Sequence, residues 1–275
     1  MGLRDLLLTM LAVGSLIAQA RPSFDAVSIK PSASSGGQSV RPIGERVVAT
    51  DATLRALVQF AYRSADGRPL LNTQIIDAPR WAETDRFNVQ ARAAATSSEI
   101  GLRQLRLMTQ VMLEDRFQLK THRDMRELLT YDLATAKGGI KMKRSPDQTP
   151  TDADADPLSL DRSTPPRGKF RMVAKAWPSG AITLIVTGTA ITVPVLVNLL
   201  QQYLDRPIVN SSRATGLYDV QLEFAFTQSQ LPTSDEPVGA SIFTAVQEQL
   251  GLKLDAVKRQ IEVLVIDRAE HPAAD

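Results

Sequence analysis

The chain has 275 residues, a formal net charge of +2, 43% hydrophobic and 23% charged residues. That composition excludes global disorder, and the length suits two domains. The lack of cysteine excludes disulfides, thiolate nucleophiles and cysteine-based zinc or iron–sulfur sites, while two histidines and 32 basic against 30 acidic residues leave little for imidazole catalysis and no global field for nucleic acid.

Met1–Ala20 reads as a secretory signal peptide. Arg4 lies in a short n-region, Leu6–Ala18 is an apolar run, and Ala18-Gln19-Ala20 offers a small-x-small cleavage site. The run is short of the roughly 20 residues that cross a bilayer. No cysteine follows it for a lipid anchor, and no later run is long enough to span. The chain is therefore expected to be exported, periplasmic or extracellular, with no transmembrane segment after signal removal.

The mature chain then divides by composition. A first domain is expected over residues 21–146, an Asp/Pro-rich linker over 147–166 and a second domain over 167–275. The linker holds four prolines and five aspartates with almost no apolar period. The two flanking parts resemble one another. Leu54, Leu57, Val58 and Ala61 fall at helical spacing after Thr53, and Val193, Leu196, Val197 and Leu200 do so after Thr192. Phe87–Ala91 and Tyr218–Leu222 alternate as strands. Leu102–Asp115 and Ile242–Leu250 read as helices, the second ending at Gly251, a natural C′ residue. Each runs into a strand, 117–121 or 250–254. Each then turns through a charged segment, Arg123–Glu127 or Val257–Gln260, and returns as a strand. An offset of 133 holds through this block (Leu119 to Leu252, Arg126 to Arg259). Phe24–Lys30 and Phe170–Lys175 add further strands. The expected fold is α+β: two related halves, each a small mixed sheet with two packed helices, arising from internal duplication.

Chemistry is sparse. Asp152, Asp154 and Asp156 open like a calcium loop, but Pro157 and Ser163 stand where Gly and a bidentate Glu are needed. No nucleophile elbow, P-loop, dinucleotide fingerprint or H-E-x-x-H occurs, and Ser241 reads as a helix cap. The carboxylate pairs Glu114/Asp115 and Asp219/Glu223 show no sign of split environments. No catalytic residue, metal ligand or cofactor is assigned. Residues 102–144 carry ten Lys/Arg against five Asp/Glu, a basic face able to meet an anionic partner or the acidic linker. Trp81, His122, Arg123, Trp177 and Tyr218 are binding-surface candidates, the tryptophans because loop aromatics form ligand platforms.

Several segments resemble a known family. Phe24–Ser32 (FDAVSIKPS), Leu54–Tyr62, Ala78-Pro79-Arg80-Trp81, Met112–Arg123 (MLEDRFQLKTHR), Thr244–Leu254 (TAVQEQLGLKL) and Val263–Asp267 (VLVID) are similar to the motifs of a soil-associated acidobacterial family of secreted proteins, a domain of unknown function. The likeness covers nearly the whole mature chain and implies export with no established activity. Asn210 stands where the family has Asp, and Ala78 where it has Gly. Each half also loosely resembles the short N-terminal domain of secretins and TonB-type receptors, which implies contact with envelope partners. The expected function is a non-catalytic binding or protein-interaction module of the cell envelope, its partner an envelope protein or glycan and not nucleic acid. The alternatives are a carboxylate-using envelope hydrolase with His122 as a helper, and a sensor domain for a small envelope ligand.

Overall fold

The computed structural model describes residues 21–33, 36–65, 67–94, 100–151, 164–179, 181–226 and 239–273. The expected signal peptide with Ala18 and Ala20, and the Asp152–Asp156 run, lie outside the described residues. In chain order the elements are β1 (Ala26–Pro31), β2 (Ser39–Ile43), β3 (Arg46–Ala52), α1 (Leu54–Ala61), a 3₁₀ turn (Asn72–Gln74), β4 (Ile75–Ile76), α2 (Trp81–Thr84), β5 (Phe87–Arg92), α3 (Leu102–Arg116), β6 (Lys120–Thr135), β7 (Lys143–Arg144), β8 (Lys169–Ala176), β9 (Ile182–Ile191), α4 (Val193–Leu200), a 3₁₀ turn (Gln201–Tyr203), β10 (Ile208–Asn210), β11 (Tyr218–Phe226), α5 (Ile242–Ala245), which continues as a π-helical turn (Val246–Leu250), and β12 (Leu252–Arg268). The fold is mixed α+β, with three four-stranded sheets among the described residues.

Two compact units emerge. Unit 1 comprises Met1–Ala61, Trp81–Leu119 and Glu270–Asp275; unit 2 comprises Tyr62–Arg80 and Lys120–Ala269. This division differs from the compositional boundaries at 146 and 167. The reason lies in unit 2, where β6, from before the linker, pairs with β12, from after it.

Unit 1 is an antiparallel sheet in the order β1-β5-β3-β2, with α1 and α3 packed on one face. Alternation puts Ile29, Val47, Ala49, Phe87, Val89 and Ala91 under Leu57, Val58, Leu105, Met108 and Met112, all buried. The expected helix start holds: Thr53 Oγ1 accepts the Ala56 N–H at 3.2 Å. Just before it, a bulge puts Asp51 in the left-handed region (φ 48°), and Asn88 Oδ1 accepts its N–H at 3.1 Å.

Unit 2 holds the other two sheets, β7-β11-β9-β8 and β10-β6-β12-β4. The first is antiparallel and places Phe170, Val186, Val220, Leu222 and Phe224 in a core with α4 and the 242–250 helix. It repeats the local device of unit 1. A bulge puts Ala190 at φ 53°, Asp219 Oδ1 accepts its N–H at 3.1 Å, and Thr192 Oγ1 then caps α4 through the Val195 N–H at 3.4 Å. Ser241 caps α5 through the Thr244 N–H at 3.2 Å, as its position suggests.

The sheet β10-β6-β12-β4 corrects the expected hairpins. Arg123–Glu127 and Val257–Gln260 are not turns; each is the middle of an unbroken strand, 16 residues in β6 and 17 in β12. The strands run antiparallel with the charged middles opposite one another, Glu127 facing Gln260. Exposed ribbon tolerates charge on both faces, and cross-strand partners offset it: Lys258 Nζ lies 3.3 Å from Glu127 Oε1. Short parallel strands flank the pair, β10 on β6 (Ile208 facing Tyr131) and β4 on β12 (Ile75 facing Leu264).

Candidate functional site

Trp81 belongs to unit 1; His122, Arg123, Trp177 and Tyr218 belong to unit 2. Trp81 opens α2 and packs on Phe117, Phe87 and His271, the His271 ring centroid 4.1 Å away. His271 Nε2 lies 2.9 Å from Asp85 Oδ2, and the Glu270 N–H donates to Phe117 O at 2.7 Å. Trp81 therefore anchors residues 270–271 in unit 1, a role the sequence did not suggest for His271.

In unit 2, His122 Nδ1 lies 2.8 Å from Asp267 Oδ1, with both side chains about half exposed. Its neighbour Arg123 bonds to the Glu262 carboxylate and to Arg63 O, while Glu262 also accepts the Ala65 N–H at 3.1 Å. Arg123 thus secures residues 63–65 against the long ribbon. Trp177 sits after β8, donates from Nε1 to Thr183 Oγ1 at 2.9 Å and carries Lys175 Nζ 4.0 Å from its ring centroid. Tyr218 is buried and donates its hydroxyl to Thr215 O at 3.0 Å. No hydrogen bond, ion pair or ring contact among the described residues joins His122, Trp177 and Tyr218. At 210, the Asn Oδ1 accepts from the Ser212 N–H (3.1 Å) and hydroxyl (2.8 Å), which needs only an acceptor that Asp would also supply. The carboxylate pairs separate as well: Glu114 meets Arg21 at 3.0 Å, and Asp219 serves the Ala190 N–H.

The sheet of unit 1 offers a different arrangement. Its helices cover one face; the other is open. Register lays the open face out in rows. Ala26, Arg92, Arg46 and Ile43 form one, and Ser28, Gln90, Val48 and Arg41 the next. Lys30, facing Asn88, adds a further positive charge on the opposite edge strand β1. Arg46 and Arg92 are direct cross-strand neighbours, an unfavourable pairing of like charges. Asp25 Oδ2 is 3.9 Å from Arg92, while Arg46 and Arg41 have no ion pair among the described residues. The short side chains of Ala26 and Ser28 leave a hollow of 420 Å³ bordered by Arg46, Arg92, Gln90 and Val48. A second hollow, 660 Å³, continues past the same two arginines along Asp25, Ile43, Gly44 and Glu45. Bidentate guanidinium donors, an amide and a hydroxyl over an apolar floor can hold an anionic, hydroxylated ligand. Sequence reading missed Arg46 and Arg92 because their adjacency depends on register. One signal was legible: alternation in Phe87–Arg92 sends Asn88, Gln90 and Arg92 to the polar face.

The corresponding face of β7-β11-β9-β8 in unit 2 has a hollow of 580 Å³ lined by Lys143, Thr187, Thr189, Asp219, Gln221 and Glu223 among others. There charge is mixed, and Gln249 closes on the Glu223 backbone, accepting its N–H at 2.9 Å and donating to its carbonyl at 2.8 Å. No group of three or more His, Asp or Glu able to hold a metal occurs among the described residues, and no helix there is long and apolar enough to cross a membrane.

No curated protein and no solved structure gives a significant match to the chain. A family profile described as "Protein of unknown function (DUF3738)" matches residues 55–269.

Proposed function

The chain belongs to this family of unknown function, DUF3738, and from that premise we propose that it is an exported, non-catalytic binding module of the cell envelope, with the open face of β1-β5-β3-β2 as its contact surface. The observation that carries the proposal is the Arg46–Arg92 pair bordering a hollow on an uncovered sheet face. Like charges held side by side are stabilised by whatever anion joins them. Export rests on the Met1–Ala20 pattern. Acidobacterial origin, and kinship of each half with the secretin and TonB-receptor N-terminal domain, remain part of this proposal and rest on sequence pattern alone.

The proposal also takes the two halves as one ancestral unit used twice. Three features support it. The sheets β1-β5-β3-β2 and β7-β11-β9-β8 have corresponding strand orders. The bulge, side-chain acceptor and threonine cap before α1 recur before α4. The 133-residue offset relates Ile75 facing Leu264 to Ile208 facing Tyr131.

Two measurements test the function. Residues 1–20 fused to a periplasmic reporter should export it, with processing blocked by Ala18→Arg and Ala20→Arg; cytoplasmic retention would overturn the export claim. Thermal-shift screening of residues 21–275 against envelope glycans and peptides should find a ligand that raises Tm by mass action. That ligand's effect should vanish in Arg46→Gln/Arg92→Gln and persist in His122→Ala. A detected hydrolytic activity lost in His122→Ala would instead favour the carboxylate-hydrolase reading.

A further inference from the structure

We infer that the open face of β1-β5-β3-β2 binds a carboxylate-bearing polysaccharide; this rests on the binding-module reading and names its ligand class. The argument starts from spacing. Arg46 and Arg92 face each other on adjacent strands, about 4.8 Å apart by sheet geometry. Guanidinium groups on side chains that leave adjacent strands at that spacing can converge on one carboxylate, each contributing directed N–H donors. Arg46 has no ion-pair partner of its own among the described residues, and Asp25 approaches Arg92 only to 3.9 Å.

The surroundings favour a polymer over a small ion. The two hollows meet at the arginine pair, one along Ser28, Val48 and Gln90, the other along Ile43, Gly44 and Glu45. A ligand held at the arginines can therefore extend in both directions. Gln90 and Ser28 suit sugar hydroxyls, Val48 and Ala26 suit the apolar face of a ring, and Glu45 can accept from hydroxyls beyond the pair. Arg41, across from Val48, and Lys30, across from Asn88, supply further positive charge for successive units.

The same face disfavours the other polyanions. Its rows contain no aromatic residue on which a nucleobase could stack. Asp25 and Glu45 beside the arginines repel a broad anionic bilayer, and Ile43 is the one large exposed apolar side chain there.

The test is titration calorimetry of residues 21–275 with polygalacturonate oligomers, with dextran of equal length, polyglutamate and phosphatidylglycerol vesicles as comparison ligands. Saturable polygalacturonate binding is expected, weakening as salt rises. Affinity should fall at least tenfold in Arg46→Gln/Arg92→Gln and stay within twofold in Lys143→Gln, which lies in unit 2. The double variant removes a like-charge pair from an exposed face, so its Tm should not fall; Arg46→Glu provides a second variant with the opposite charge at the same place. Equal polygalacturonate affinity in wild type and the double variant overturns the inference, as does equal or tighter binding of dextran, polyglutamate or vesicles. If one of those comparison ligands binds and the double variant abolishes it, the ligand class falls while the binding module stands. If neither this panel nor the envelope screen finds any ligand, both fall.

Discussion

A single acceptor atom decides whether each sheet can turn into its helix. Asp51 and Ala190 both sit at positive φ, a conformation L-residues avoid, and each has its N–H held by a side chain from the neighbouring strand, Asn88 or Asp219. The acceptor matters and the charge does not. Asp219→Asn should therefore change stability by less than about 0.5 kcal/mol, whereas Asp219→Ala should cost about 1–2 kcal/mol through an orphaned amide; urea unfolding of the two variants separates these outcomes, and equal costs would refute the account. At Asp85 the charge does matter. Its carboxyl is held below the ordinary 3.8 by the hydrogen bond with His271 and a second with Thr84. A lowered folded pKa means that the contribution is present above the unfolded value and is lost as pH falls through the folded one. The protection of the Glu270 amide relative to its intrinsic exchange rate should therefore fall below pH 3.8 in the wild type, and should already be low at pH 5 in Asp85→Asn. Unchanged protection in that variant would remove the Asp85–His271 contact from the account.

At the scale of elements, the amphipathic helices were the most legible part of the chain. Thr53 and Thr192 cap them, and Leu57, Val58, Leu196 and Val197 are buried as their spacing requires. Gly251 ends its helix at φ 68° as a C′ glycine should. A Cβ there would press on Gly139 O and the Lys141 N–H, both backbone atoms. Gly251→Ala should thus cost at least ~2 kcal/mol, more than left-handed strain alone, measured by chemical denaturation; a cost below ~1 kcal/mol would mean that the 139–141 turn yields freely. The long strands escape sequence reading because a charged mid-strand segment looks like a turn. Neither Arg123–Glu127 nor Val257–Gln260 contains Gly, Pro, Asn or Ser, and Asp124 is the one turn-forming residue in the two segments. The conversion of the 242–250 helix to a π turn left no trace in its apolar period. The arginine pair of the candidate site was illegible for a similar reason. Arg46 and Arg92 are far apart in sequence, and only pairing register places them side by side.

For the whole molecule, composition marked residues 147–166 as a divider, yet β6 and β12 from its two sides form one continuous ladder within unit 2. A protease site inserted between residues 156 and 157 should yield two fragments that co-elute on gel filtration and part only in denaturant. Separation under native conditions would show instead that the halves hold together by the peptide link alone. The ladder also sets an order of events. Ile75 finds its strand partner at Leu264 and Lys120 at Arg268, so the sheet β10-β6-β12-β4 cannot close until β12 has been made. Such high contact order makes folding slow and leaves strand edges unpaired for longer. A nascent chain would carry β4, and the β12-facing side of β6, as open edges until β12 emerged. The sheet of unit 1 needs nothing beyond β5 and α3, so it can close while unit 2 still waits for β12, and the long ladder is the late step of folding.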